Sequence, residues 1–247
     1  AGFKSGYRIS SPRLGTWVVT DIRTADGNEG SDTLAGIEKL RFADGDLTLI
    51  DNGEFQVNSW VRDFQGDPAL APLADGGWLA AWSSYGQDGD GMGVYAQRYG
   101  ADGLPSGAEV RLNTVTAGEQ REVAVTALSG GGFVAVWSTG EPGYSLQVVG
   151  RRFADDGTPL GGEFPLDSGF TGYQSKPTIV ARSDGGFTVV WDSTAYGLTH
   201  LTARSFAAAG APLGSAFQVD ASAPPEWGPD AVAVAERSGG GFAALWQ

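Results

Sequence analysis

Four times in this chain a double glycine is followed by an aromatic residue and, four positions later, by a tryptophan. The copies are Gly76-Gly77-Trp78 to Trp82, Gly131-Gly132-Phe133 to Trp137, Gly185-Gly186-Phe187 to Trp191 and Gly240-Gly241-Phe242 to Trp246. The tryptophans lie 55, 54 and 55 residues apart. A fixed period of that length marks a repeat architecture. The conspicuous residues of such a chain serve first to build its scaffold.

Aligning the copies gives one unit. It opens with an apolar stretch ending in Asn or Asp (Phe55 to Asn58, Val110 to Asn113, Phe164 to Asp167, Phe217 to Asp220) and continues through a polar loop of variable sequence. A strand such as Val123 to Leu128 then leads through the Gly-Gly turn into the tryptophan strand, and a further strand follows (Val94 to Tyr99, Val148 to Phe153, Leu201 to Phe206). In Phe133 to Trp137, both alternating sets of side chains are apolar, so this strand must be covered on both faces. A lone sheet cannot do that, whereas stacked sheets can. The expected fold is all-β and repeat-built, with four short antiparallel strands per unit of about 54 residues, arranged as β-propeller-like or stacked blades. The units fall at about 54–108, 109–162, 163–215 and an incomplete 216–247, inside a repeat domain of residues 53–247.

Residues 1–52 lie outside the repeat. Thr16 to Ile22 is rich in β-branched residues and reads as a strand. Ile37 to Phe42 and Asp46 to Ile50 flank Ala43-Asp44-Gly45, a hairpin signal. This stretch is expected to be a small N-terminal β-hairpin segment.

Bulk composition narrows the function. The 247 residues carry 29 acidic and 16 basic side chains, a formal charge of −13. Such a surface repels phosphates and argues against nucleic-acid binding. There is no cysteine, which excludes disulfides and thiolate chemistry. No apolar run reaches the length of a transmembrane helix. The chain lacks an initiator Met and ends one residue after a repeat tryptophan, as expected for an excerpt of a longer protein.

The repeat is similar to one found in very large bacterial secreted proteins. The matching residues are Asp75-Gly76-Gly77-Trp78 to Trp82, Tyr95-Ala96-Gln97-Arg98-Tyr99 with Ala101-Asp102-Gly103, and Asp184-Gly185-Gly186-Phe187 to Trp191. Gly30 to Gly45 resembles a segment of RTX-type calcium-binding proteins, some of which carry haem peroxidase domains. This resemblance implies type I secretion, an extracellular or cell-surface location and calcium dependence. Gly27 to Ala35 matches the RTX nonapeptide except at Asn28, which replaces a glycine.

Candidate sites follow from chemistry. Asp26, Asn28 and Asp32 set alternating side-chain oxygens on a Gly-rich loop, which suits calcium; a simple turn is the other reading. Asp88 and Asp90, in Gln87-Asp88-Gly89-Asp90-Gly91, form a second carboxylate pair able to converge on calcium or to sit on a solvated loop tip. Trp60, Phe64, Phe170, Tyr173 and Trp227 fall in the variable loops, where rigid aromatics serve glycan or protein recognition or fill gaps between blades. Of these, Trp60, Tyr173 and Trp227 are the leading ligand-binding candidates. The single histidine, His200, lacks the sequence context of a nucleophile elbow or metalloprotease helix, and its absence of partners argues against zinc or haem. The expectation is therefore a non-enzymatic structural or adhesive module of an RTX-type secreted protein, with surface glycans, surface proteins or other domains of the same polypeptide as partners. The alternatives are a lectin-like glycan-binding module, or an accessory region of a secreted enzyme such as a peroxidase.

Overall fold

The computed structural model describes residues 7–13, 16–21, 31–35, 39–42, 45–48, 56–101, 103–141, 146–170, 172–220, 232–238 and 240–246. Among them every regular element is a strand, and no helix is long and apolar enough to cross a membrane. The chain divides into two units, one of Ala1–Val57 with Gly100–Leu104, the other of Asn58–Tyr99 with Pro105–Gln247.

In the first unit, β1 (Tyr7–Arg13), β2 (Thr16–Asp21) and β3 (Ser31–Ala35) form an antiparallel sheet. β4 (Lys39–Phe42) and β5 (Gly45–Thr48) pair as the expected hairpin, with Phe42 opposite Gly45. Part of the nonapeptide is drawn into β3, where Asp32 pairs with Val19 of β2. Asp26 and Asn28 lie outside the described residues.

Among the described residues the second unit contains three four-stranded antiparallel sheets and one of two strands. The first is β6 (Gln65–Pro72), β7 (Trp78–Tyr85), β8 (Met92–Tyr99) and β9 (Val110–Arg111). The second is β10 (Glu119–Ala127), β11 (Phe133–Gly140), β12 (Leu146–Phe153) and β13 (Phe164–Pro165). The third is β14 (Tyr173–Ala181), β15 (Phe187–Ala195), β16 (Leu198–Phe206) and β17 (Phe217–Gln218). β18 (Val232–Glu236) pairs with β19 (Phe242–Trp246). The repeat architecture is as expected, and its phase is shifted: the Asn/Asp-ended stretch at the head of the second, third and fourth sequence units supplies the last strand of the preceding sheet.

The double glycines have two separate jobs. Gly131 and Gly185 sit at φ 90° and 87°, the left-handed region that a tight turn requires. Their successors let the next strand approach: a Cβ on Gly132 would lie 2.3 Å from the Phe153 carbonyl oxygen, and one on Gly186 2.3 Å from that of Phe206.

Sheets stack through their faces. Trp137, Phe133 and Ala135 pack with Leu79, Ala81 and Val94 of the first sheet, while Val134 and Val136 on the opposite face join Trp191, Phe187 and Val189 of the third. Both faces of the tryptophan strand are covered, as its sequence demands. Trp137 and Trp191 are 0% exposed, and no hydrogen bond reaches their indole N–H groups. Their work is apolar filling. Val190, Leu201 and Ala203 continue the stack onto Val232, Val234 and Phe242.

Candidate functional site

The first strands of successive sheets, β6, β10, β14 and β18, are neighbours, so residues at equivalent positions on them gather along one line. Each of β6, β10 and β14 carries a bulge at the same place, between Gly66 and Ala69, Arg121 and Ala124, and Ser175 and Thr178. A non-glycine residue occupies the left-handed region in each: Asp67 at φ 49°, Glu122 at 59° and Lys176 at 50°. Such backbone is costly, and it persists when surrounding bonds over-determine it.

Those bonds form a relay from sheet to sheet. The Asp67 carboxylate accepts from the Ser83 hydroxyl at 2.8 Å and from the Glu122 backbone N–H at 3.0 Å. The Glu122 carboxylate in turn accepts from Ser138 at 2.7 Å and from the Lys176 N–H at 2.8 Å. Ser83, Ser138 and Asp192 each follow a repeat tryptophan. In the third sheet the carboxylate moves to the serine position and a cation takes its place: Lys176 is the bulge residue and Asp192 follows the tryptophan, with 3.9 Å between Nζ and Oδ2. Asp192 is buried, and burial, joined by the Glu122 and Asp220 carboxylates and opposed by Lys176, pushes its carboxyl up to about 6.

Two clefts of about 380 Å³ each adjoin this line, sharing Asp67 and Glu122. One is walled by Phe64, Tyr85, Met92, Glu119 and Arg121, the other by Pro68, Ala124, Lys176, Pro177 and Val232. Phe64 and Tyr85 are 62% and 48% exposed. Arg121 donates to the Tyr173 hydroxyl at 3.2 Å. Against burial, that bond and the Glu122 and Glu119 carboxylates raise the Arg121 pKa, so the guanidinium stays charged. The first cleft therefore offers flat apolar rings, carboxylate acceptors and a fixed guanidinium within one concavity.

The aromatic candidates separate. Tyr173 heads β14 and orients Arg121, and Phe64 walls the cleft. Trp60 stands apart from it, half-buried, with the Arg62 guanidinium 6.0 Å from its ring. Trp227 lies outside the described residues. Asp88 and Asp90 are engaged separately: Asp88 accepts from the Asn113 amide at 3.0 Å, and Asp90 from the Gly118 N–H at 3.4 Å. Among the described residues no three His, Asp or Glu side chains are grouped to hold a metal. His200 faces Ser193 across β15 and β16, and its Nδ1 lies 3.3 Å from Asp220.

Asp67, Glu122 and Lys176 were hidden in what reads as a variable polar loop. A signal exists: Gln65-Gly66-Asp67-Pro68, Gln120-Arg121-Glu122-Val123 and Gln174-Ser175-Lys176-Pro177 share a glutamine, and their bulge residues are spaced 55 and 54 apart, as the tryptophans are.

No family model and no curated protein matches the chain. Among solved structures it is similar to a protein of unknown function from Dyadobacter fermentans DSM 18053, at 10% identity and TM-score 0.55, over 99% of this chain and 80% of that one. It is also similar to a thermostable family-43 glycoside hydrolase, at 9% identity and TM-score 0.53, over 98% of this chain and 82% of that one. An α-L-arabinofuranosidase from Lactobacillus brevis matches at 13% identity and TM-score 0.49, over all of this chain and 81% of that one. The likeness establishes a β-propeller-like fold. It also corrects two expectations, that the chain is a structural or adhesive module of an RTX-type protein and that it is not an enzyme. The fold is shared with a glycoside hydrolase, and its inner strands bring ionisable groups to a cleft rather than serving packing alone.

Proposed function

We propose that the repeat unit is a glycan-directed β-propeller module whose ligand seats in the cleft walled by Phe64, Tyr85, Glu119 and Arg121. The observation that carries this reading is the exposure of two aromatic rings beside a carboxylate and a guanidinium in one concavity. A sugar ring presents an apolar C–H face and an equatorial set of hydroxyls, which such a surface matches with stacking and directed hydrogen bonds. The structural likeness to a glycoside hydrolase supports it.

A glycan array followed by calorimetry tests the reading. Binding should fall at least about tenfold in Phe64→Ala and in Arg121→Ala, about 1.4 kcal/mol or more for each, with unchanged circular dichroism. A wild-type chain that binds nothing on a broad array of neutral and charged glycans would overturn it.

Hydrolysis is a second reading, favoured by the three carboxylates of the same cleft, Asp67, Glu119 and Glu122. Glu122 is fixed by Ser138 and the Lys176 N–H, whereas among the described residues no hydrogen bond reaches the Glu119 carboxylate. Glycoside hydrolysis uses two carboxyl groups in different settings. Release of aryl alcohol from a panel of aryl glycosides, lost in Glu119→Gln, is the expected sign; turnover unchanged by Glu119→Gln would remove that residue from the reaction.

A further inference from the structure

The third link of the relay is built unlike the first two. In sheets one and two an uncharged serine on the tryptophan strand donates to a carboxylate on the bulge. In sheet three the carboxylate itself stands at the serine position. Asp192 is 4% exposed, and no hydrogen bond reaches its buried Oδ1 among the described residues. Its cross-strand partner on β16 is apolar Leu201 and on β14 is Ser175. The charged groups acting on it are Lys176 from β14, Glu122 from β10 and Asp220 beyond β17.

A buried carboxylate with an unmatched oxygen is costly when ionised and cheap when protonated. Among the described residues the cation paired with it is Lys176 at 3.9 Å, with an ammonium half open to solvent, too loose to cancel that cost. Two further carboxylates act on it in the opposite sense.

We propose that Asp192 is a protonation switch in the third link, holding a proton in mildly acidic solution and releasing it toward neutrality, when its charge draws on Lys176 at the wall of the second cleft. This goes beyond the glycan reading and does not depend on it. The geometry fixes the sign. The folded carboxyl titrates near 6, whereas an unfolded aspartate titrates near about 4. The stabilisation is therefore complete below about pH 4 and is lost as pH rises through about 6.

The test is the pH profile of stability, from about pH 4 to about pH 8, together with the carboxyl carbon resonance of Asp192 followed by NMR. The resonance should titrate with a midpoint near 6. Between about pH 4 and about pH 7 the folding equilibrium of the wild type should decline relative to Asp192→Asn by up to about a hundredfold, the equivalent of a shift of about two pH units. Asp192→Ser, which restores the residue of the other two sheets, should likewise lose this dependence, so the proposal stays testable even where the asparagine folds poorly. Lys176→Met should raise the midpoint further, which a purely structural lysine would not do. A midpoint below about 4.5, or parallel profiles for the wild type and both Asp192 variants, would overturn the switch.

Discussion

At the residue scale, the same tryptophan has different worth in different copies. Trp137 is fully enclosed between the first and second sheets, whereas Trp246 is 38% exposed on β19. Trp137→Ala should cost about 3–5 kcal/mol, the range for deleting a buried aromatic. Trp246→Ala should cost under about 1.5 kcal/mol, since much of its area already meets water. Chemical denaturation of the two variants measures the difference; equal losses would mean that burial does not set the value of the motif. The motif was visible in the sequence because the same residue types recur at the same spacing in every copy. Asp67, Glu122 and Lys176 were not, because their positions recur while their side chains change from Asp to Glu to Lys. What repeats there is a backbone bulge, and side-chain identity carries no direct record of it.

At the scale of elements, the bulges of the first strands are held by side chains of neighbouring strands where their own ladders are interrupted. Glu122 is the middle link, accepting from Ser138 within its own sheet and from Lys176 in the next. Glu122→Ala leaves both donors without their acceptor and should destabilise by about 1–3 kcal/mol. Glu122→Gln keeps one acceptor oxygen and should lose less. Hydrogen exchange at the Lys176 amide is the local readout, and undiminished protection in Glu122→Ala would show that the bulge stands without the carboxylate. Strand positions and the doubly covered tryptophan strands were legible from alternation and from the Gly-Gly turns. The origin of each sheet was not: a period in sequence has no intrinsic starting point, so a unit beginning at Val110 and a sheet ending at Val110–Arg111 fit the same spacing.

At the scale of the whole repeat unit, each tryptophan serves a different contact between sheets. Trp137 belongs to the core shared by sheets one and two, and Trp191 to the core shared by sheets two and three. In a stacked array, stability is close to a sum over neighbouring contacts. Trp137→Phe and Trp191→Phe should therefore add within about 0.5 kcal/mol in the double variant; a larger coupling would mean that sheet two transmits strain between its faces. The reading of function failed at this same scale. A scaffold repeats its packing residues and varies the rest, so the consensus pointed to architecture while the cleft residues Phe64 and Glu119, and Tyr173 that accepts from Arg121, stand at one repeated position before the shared glutamine and differ in every copy.

The unbonded indole nitrogens of Trp137 and Trp191 give the molecule an optical property. An indole in a dry, apolar setting emits toward the blue, and water entering its surroundings shifts the emission to the red. The two junctions that sheet two makes with its neighbours thus each contain a lamp of their own. Comparing emission spectra of the two phenylalanine variants during unfolding would reveal which junction opens first, with no label added to the chain.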